Sequence, residues 1–389
     1  MCGGLARKLL FFTSGVGVAV AADRSQIPSR FLRQPMVSQN TEFAFPSAAK
    51  RILFVELLGS LRGLMIALPS IHALARSNPH SQLEVLTTVE CAPLLEPDPL
   101  VGKVHRISVD SSPVADIQKI QATEIENVLH ARSYDLVVSD APGEDILKIV
   151  EASTAGLRAA SLWQDPLRGQ LVEEQFLQVL VREGLIDPHC VGSVVRITLT
   201  AQEEKWARCW RGNNLQERHP TVILNPLAGS TVDFWPIENF IAVGRWLASR
   251  HHCNIVILSG DDPGLSSGMG HEMGKTATIL AKCGPRALAA IASLCSLVIS
   301  PDTGPARVAA AAGPRAVILF GPTAPDKYGF RPPHINIRSP RLCQERNSSN
   351  YAESGGICSE QCVSQGQNSC LEDIAPEVVL RAAERALHG

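Results

Sequence analysis

The chain has 389 residues, of which 45% are hydrophobic and 19% are charged, and its formal net charge is −2. This length predicts two globular domains, and the composition excludes a disordered or fibrous protein. The near-neutral charge provides no general basic field for nucleic acid, and the aromatic fraction of 5% is too low for a base-stacking surface. The 11 cysteines are too sparse for a disulfide scaffold, so a reducing compartment is favoured.

The N-terminal segment 1–48 is interpreted separately from the rest of the chain. An apolar run at 9–22 follows two basic residues, has the form of a secretory signal peptide and is too short to span a bilayer. The alternative is a start codon assigned too far upstream of Met36, since 23–48 is polar and shows no periodic pattern. Both interpretations exclude 1–48 from the fold.

From residue 51 onwards, strand and helix patterns alternate. Four segments have the apolar pattern of buried strands: 52–55, 83–87, 104–107 and 134–138. Apolar residues at helical spacing run from Leu64 to Leu74. This alternation predicts parallel β-α-β units in a doubly wound sheet.

The alternation restarts after a polar connection at 187–217 that includes a charged helix near 201–211. The predicted strands are 221–224, 254–258, 297–300 and 316–320, and the predicted helices are 238–250, 287–295, 305–312 and 376–387. We therefore predict an α/β protein with two Rossmann-like halves that face a cleft. The expected domains are an N-terminal one at 49–195, a C-terminal one at 196–375 and a last helix at 376–389.

The segment 298–307 is the strongest candidate for a binding site. A buried strand ends in a polar turn, and a helix begins with Pro305 at its first position, where the missing N–H costs nothing. Free N–H groups at such a helix start attract phosphate, and Asp302 and Thr303 can bind sugar hydroxyls. The alternative is a plain helix cap.

Three other strand ends carry small residues, which let a ligand approach the backbone closely. They are the segment 225–231, Gly260 after the next strand and Gly321 after a later one. Because the carboxyl ends of parallel strands meet at one edge of a sheet, these turns indicate a shared ligand site.

Five sequence blocks occur in a characteristic order: ILFVELLGSLRGLMIALPSIHAL at 52–74, VILNPLAGSTVDFWPIENF at 222–240, SPDTGPARVAAAAG at 300–313, LFGPT at 319–323 and CLEDIAP at 370–376. Their order and spacing resemble glycosyltransferase family 9, the ADP-heptose:lipopolysaccharide heptosyltransferases, over residues 50–388. The resemblance implies the GT-B fold, with the acceptor on the N-terminal half and the nucleotide sugar on the C-terminal half. It also implies that the last helix packs back towards the N-terminal half.

The resemblance further implies inverting, metal-independent transfer of heptose from ADP-heptose to a lipopolysaccharide core or another cell-surface acceptor. The transfer reaction implied in this way needs no cofactor. The protein is expected to be cytoplasmic, with peripheral contact with the inner membrane. The residues expected to bind the donor are Pro226, Gly229, Ser230, Thr231, Gly260, Asp302, Thr303, Gly304, Pro305, Ala306 and Gly321.

Two positions depart from the family pattern in the donor-binding half. Asp233 stands where a Lys usually neutralises the leaving diphosphate, and Arg307 stands where a His is usual. Arg307 is therefore the candidate for the missing positive charge. The alternative is that Arg307 points to solvent or pairs with a carboxylate such as Asp302.

A third departure concerns the general base that inversion requires. Gly63 stands where family members usually have the Asp expected to accept the proton of the acceptor hydroxyl. Glu56, at the end of the first strand, is the candidate replacement. The alternative is a Glu paired with a nearby Arg such as Arg62.

Cys343, Cys358, Cys362 and Cys370 cluster in a stretch rich in Ser, Gly and Gln. Their spacing fits no standard zinc pattern, so a metal site, an oxidised pair and free thiols all stay open.

Two rival functions also stay open. One is a weakened homologue that binds a nucleotide sugar or glycan without turnover, and the other is a GT-B transferase with a different nucleotide sugar. A dehydrogenase is disfavoured, because no Gly-x-Gly-x-x-Gly follows the first strand of either half.

Overall fold

The computed structural model describes residues 49–108, 114–140, 148–149, 158–163, 170–192, 195–227, 234–261, 263–341 and 369–388. Several of the interpreted residues lie outside these ranges, and their roles stay predictions: 1–48, Gly229, Ser230, Thr231, Asp233, Cys343, Cys358 and Cys362.

The first half of the chain forms a parallel sheet. Strands β1 to β5 span Arg51–Val55, Gln82–Thr88, Lys103–Ile107, Leu136–Ser139 and Arg158–Ser161, in the spatial order β3-β2-β1-β4-β5. Helices α1 to α4 span Leu61–Ser77, Ala92–Leu95, Val114–Ala131 and Val172–Arg182. The central strand β1 is buried from Ile52 to Val55, as expected of a parallel strand covered on both faces.

The second half repeats this architecture. Strands β6 to β11 span Thr221–Leu224, Asn254–Leu258, Ala277–Leu280, Leu297–Pro301, Arg315–Phe320 and Ile335–Arg338, in the order β11-β10-β9-β6-β7-β8. Helices α5 to α11 span Ala201–Asn214, Ile237–His251, Pro263–Met273, Pro285–Ala292, Gly304–Ala311, Pro325–Tyr328 and Pro376–His388. The strand pairs are parallel, so the predicted doubly wound α/β fold is confirmed.

Each sheet has a switch point at which the strand order reverses. It lies between β1 and β4 in the first sheet and between β6 and β9 in the second. Helices leave towards opposite faces on the two sides of such a point, which opens a crevice at the carboxyl ends of the strands. The two switch points are therefore where a ligand site is expected.

The two halves contact each other through α1 and α9. Gly304, the first residue of α9, lies so close to the start of α1 that an added Cβ would be 2.8 Å from the Cβ of Leu61 and 3.1 Å from the backbone N of Arg62. Only a glycine permits this approach. The segment that follows the carboxyl end of β9 therefore lies directly against the N-terminal half.

The last helix corrects one expectation. It does not pack back towards the N-terminal half, because α11 lies against α6, β9 and β10 of the second sheet. Its apolar residues, Val379, Ala382, Ala383 and Ala386, are buried in the core of that half. The preceding turn is held there by Trp235, whose buried Nε1 donates to the carbonyl oxygen of Ile374 at 3.0 Å. No helix among the described residues combines the length and the apolar character needed to cross a bilayer.

Candidate functional site

A buried hydrogen-bond cluster occupies the switch point of the second sheet. Asn225, directly after β6, donates from Nδ2 to Ser300 Oγ at 2.8 Å and to Thr303 Oγ1 at 3.0 Å. Its Oδ1 accepts from the backbone N of Leu227 at 3.2 Å. The amide thus joins the loops that follow β6 and β9, and it fixes the segment that the sequence identified as the strongest site candidate.

The helix-cap interpretation holds for Thr303. This residue is the N-cap of α9, and its Oγ1 accepts from the backbone N of Ala306 at 3.4 Å. The hydroxyl oxygen also accepts from Asn225, so both of its acceptor positions are used within the protein. Ala306 is fully buried. The Ala306 N–H is therefore not free for a donor in this conformation.

Asp302 has a different role from its neighbour, since its carboxylate lies between two arginines. Oδ1 accepts from Arg307 Nη2 at 2.8 Å, and Oδ2 lies 3.0 Å from Arg62 Nη2. Thr323 Oγ1 also donates to Oδ2, at 3.3 Å. Arg62 comes from α1 and the other residues from the second half, so the ion pair of Arg62 with Asp302 crosses the contact between the halves.

Arg307 adopts the alternative arrangement, that of a residue paired with Asp302. Its side chain is only 7% exposed, and it also donates to the carbonyl oxygen of Tyr328 and lies 4.4 Å over the ring centroid of Phe330. Burial lowers the pKa of Arg307, and the charge of Asp302 opposes this effect. The guanidinium does not point to solvent, and its position favours a structural role over contact with a diphosphate.

The switch point of the first sheet carries two buried carboxyl groups. Glu56 follows β1 and Asp140 follows β4, and both are fully buried. Glu56 accepts from Thr87 Oγ1 and, at 3.2 Å, from the backbone N of Gly59, while Asp140 accepts from the backbone N of Leu57 at 2.9 Å. The segment 57–60 therefore covers both groups.

The electrostatics of these two groups follow from their burial. Burial away from solvent raises the pKa of Glu56 to about 7, whereas the hydrogen bonds from Thr87 and Gly59 act to lower this pKa. Burial and the charge of Glu56 raise the pKa of Asp140. The expected pairing of Glu56 with Arg62 is not formed, because Arg62 reaches across to Asp302 instead.

The packing around Gly63 leaves no space for a side chain at the position of the usual general base. An added Cβ at Gly63 would lie 2.3 Å from the Cβ of Leu58 and 3.1 Å from its carbonyl carbon. Leu58 thus fills the space that the first carbon of an Asp side chain would need. The 57–60 segment closes over this position as it closes over Glu56.

The remaining described candidates fall into two groups. Pro226 is buried directly after Asn225, and Gly260 lies against Leu227, so both belong to the same strand-end edge. Pro305 is the second residue of α9, one position later than the sequence predicted, because the helix begins at Gly304. Gly321 instead faces the C-terminal segment, since an added Cβ would lie 2.8 Å from Leu371 Cγ. Its missing side chain is thus explained by packing rather than by donor contact.

Four residues of these clusters have roles that sequence reasoning did not assign: Asp140 and Tyr328 were not named, Asn225 was named only within the turn 225–231, and Arg62 only as a partner of Glu56. Two of them had a usable signal, because Asn225 and Asp140 directly follow buried strands at switch points, as Glu56 does. Arg62 and Tyr328 had none. They meet only because α1 and α10 are brought together across the two halves, where the Arg62 guanidinium lies 4.4 Å over the Tyr328 ring.

Two doubly wound parallel sheets, each with polar groups at its switch point, define a GT-B type α/β protein. Solved structures share this fold. Glycosyl transferase family 9 from Veillonella parvula has a TM-score of 0.71 at 18% identity, over 89% of this chain and 99% of that chain. E. coli heptosyltransferase WaaC with ADP has a TM-score of 0.60 at 16% identity, over 86% of this chain and 99% of that one.

Sequence comparison finds similarity to one family of glycosyltransferases. The sequence model of glycosyltransferase family 9 (heptosyltransferase) matches residues 197–356. Lipopolysaccharide heptosyltransferase 3 of Escherichia coli is 24% identical over 290 residues, which cover 69% of this chain and 82% of that protein. These matches confirm the resemblance to glycosyltransferase family 9 seen in the sequence blocks, and they show that the chain is a glycosyltransferase.

Proposed function

We propose that this glycosyltransferase transfers heptose from ADP-heptose, with inversion, to a hydroxyl of a lipopolysaccharide core or another cell-surface acceptor. The observation that carries the proposal is the Asn225 cluster, which holds the start of α9 and Asp302 at the switch point of the C-terminal half. The similar proteins support the proposed donor and acceptor. One is a lipopolysaccharide heptosyltransferase, and another is a heptosyltransferase whose structure contains ADP. An acceptor of this kind is lipid-linked, so the enzyme would meet it at the inner membrane surface.

The proposed reaction is a direct displacement at the anomeric carbon. The acceptor hydroxyl loses its proton, its oxygen bonds to that carbon, and the bond to the diphosphate breaks. The backbone N–H groups of Thr303 and Gly304, together with those at 229–230, would meet the charge that develops on the diphosphate. No metal is required for this step in the proposed scheme.

The base for this reaction is proposed to be Glu56, under one structural condition. A pKa of about 7 suits a group that accepts a proton near neutral pH. However, the carboxylate is fully buried, so it reaches an acceptor only if the 57–60 segment moves. A Glu56→Gln enzyme that transfers at the full rate would remove Glu56 from the mechanism.

A second candidate function is binding of a nucleotide sugar without turnover. The observation that favours it is the close contact of Gly63 with Leu58, which leaves no room for the usual catalytic side chain. In this case the donor site persists while the proton acceptor has been lost.

One pair of measurements tests both candidates. Calorimetry with ADP and with ADP-heptose measures binding, and product release with ADP-heptose and with UDP- and GDP-hexoses measures turnover on a heptose-free lipopolysaccharide core. We expect binding of ADP and transfer from ADP-heptose. Binding without turnover of any donor would favour the second candidate. Transfer from a UDP- or GDP-hexose but not from ADP-heptose would show that the donor sugar is a hexose rather than a heptose. No binding of any nucleotide would contradict both candidates.

A further inference from the structure

We propose that Arg62, supplied by the N-terminal half, is the cation that contacts the diphosphate of the donor. The inference rests on the proposed function, because it assigns a residue to the same donor site. It names a group that replaces the usual Lys, whose position is occupied by Asp233 in this chain.

The position of Arg62 supports this role. Its backbone N lies 3.1 Å from where a Cβ of Gly304 would be, so the residue starts beside the first turn of α9. Its guanidinium reaches Asp302 at 3.0 Å and lies 4.4 Å over the ring of Tyr328. These contacts hold the cation next to the segment that is proposed to bind the donor.

One carboxylate is shared between the two arginines of the cluster. Asp302 is the ion-pair partner of both Arg62 and Arg307 among the described residues. Glu173, which also acts on Arg307, pairs with Arg331 at 2.6 Å, and Glu174 pairs with the same arginine at 3.4 Å. Because Asp302 divides its charge between two guanidinium groups, a further anion beside Arg62 is favoured, and a diphosphate supplies one.

Arg62 is the member of the pair that can leave Asp302. Arg307 is held by Asp302, the Tyr328 carbonyl and Phe330, whereas 23% of the Arg62 side chain is exposed. If Arg62 moves to a phosphate, Asp302 keeps the hydrogen bonds of Arg307 and of Thr323 Oγ1. The move therefore does not leave a buried carboxylate uncompensated.

Arg62 also has unused hydrogen-bonding capacity. Its Nε is buried and has no hydrogen-bond acceptor among the described residues. A guanidinium can donate two parallel hydrogen bonds to phosphate oxygens, which a Lys at the usual position cannot do. A bound diphosphate would provide the acceptor that the free protein lacks.

The test compares the binding of ADP with that of adenosine by calorimetry in the full chain. For Arg62→Ala we expect at least a tenfold loss of ADP affinity and less than a twofold change for adenosine, and Arg62→Lys should fall in between. Arg132→Ala is the matched control, since Arg132 belongs to the same half and pairs with the buried Glu84 of that half at 3.1 Å rather than with a residue of the C-terminal half. Thermal melts of all variants establish that they are folded.

Three outcomes overturn the proposal. An unchanged ADP affinity in Arg62→Ala would make Arg62 a structural link between the halves. A tighter ADP affinity would make it a group that blocks the site. An equal loss for ADP and adenosine would show a general disturbance of the fold rather than a lost phosphate contact. Absence of ADP binding in the parent would instead contradict the proposed function itself.

Discussion

The buried carboxyl groups of the first switch point are expected to make stability depend on pH near neutrality. Glu56 is fully buried, and burial raises its pKa from 4.5 to about 7. Between these two pH values the folded chain keeps a proton that the unfolded chain releases. The contribution of Glu56 to the free energy of unfolding is therefore fully present below pH 4.5 and falls as pH rises towards 7, where it is lost.

The size of the effect follows from the same two values. The difference between a pKa of 4.5 and one of about 7 corresponds to about 3 kcal/mol of unfolding free energy. Asp140 acts in the same direction, because burial and the charge of Glu56 raise its pKa as well. The dependence should thus be visible in any measurement that resolves about 1 kcal/mol.

Glu56→Gln is the perturbation that isolates this contribution. Glutamine resembles the protonated carboxyl group in shape and cannot ionise, so the variant should match the parent near pH 5 and exceed its stability near pH 8. Urea denaturation between pH 5 and pH 8 measures the difference, with Glu126→Gln on the exposed face of α3 as the control. Parallel pH profiles for the parent and Glu56→Gln would refute the reasoning, since the two proteins differ only at residue 56.

Two further predictions concern the C-terminal half. Asn225→Ala removes the hydrogen bonds to the Ser300 and Thr303 hydroxyls, so we expect a loss of about 2 kcal/mol of unfolding free energy in urea denaturation. We also expect at least a tenfold loss of ADP affinity. An unchanged ADP affinity would show that this cluster does not belong to the donor site. Arg307→Met removes one charged hydrogen bond from Asp302, which keeps Arg62 and Thr323, and should cost about 1.5–3 kcal/mol. A parental melting temperature would show that the pair contributes nothing.

The central strands could be predicted from the sequence, whereas several edge strands could not. Strands such as β1, β6 and β9 are covered on both faces, so they consist of unbroken apolar runs that stand out in the chain. The edge strands β8 and β11 have a neighbour on one side only, and their exposed residues break the apolar pattern. Burial on both faces makes a parallel strand recognisable in the sequence. An edge position weakens that signal, although the edge strand β3 was still predicted.

The candidate site was predictable within one half but not across the two. The turn with Asp302 and Thr303 follows a buried strand and precedes a helix, which is a local pattern. The partner Arg62 lies 240 positions earlier in the chain, and nothing near it in sequence indicates an acidic neighbour. The same limit explains why Arg307 was assigned to the diphosphate, since its burial depends on Phe330 and Tyr328.

The close packing of Gly63 leads to a last prediction, which links the lost base to the covered carboxyl groups. A Cβ at this position would lie 2.3 Å from the Cβ of Leu58, so the clash arises with any side chain. Gly63→Ala and Gly63→Asp should therefore both cost about 1–3 kcal/mol in urea denaturation, as overpacked sites do. Gly212→Ala on α5 is the control, because a Cβ there meets no atom within 4 Å.

The double variant Leu58→Gly/Gly63→Asp separates packing from chemistry. Removing the Leu58 side chain makes room for the Asp, so the part of the stability loss that comes from the clash should disappear relative to Leu58→Gly alone. A Gly63→Ala protein as stable as the parent would show that the 57–60 segment yields without cost. If the double variant transfers faster than Leu58→Gly, the absent carboxylate limits the rate, and the segment that covers Glu56 also determines which residue can serve as the base.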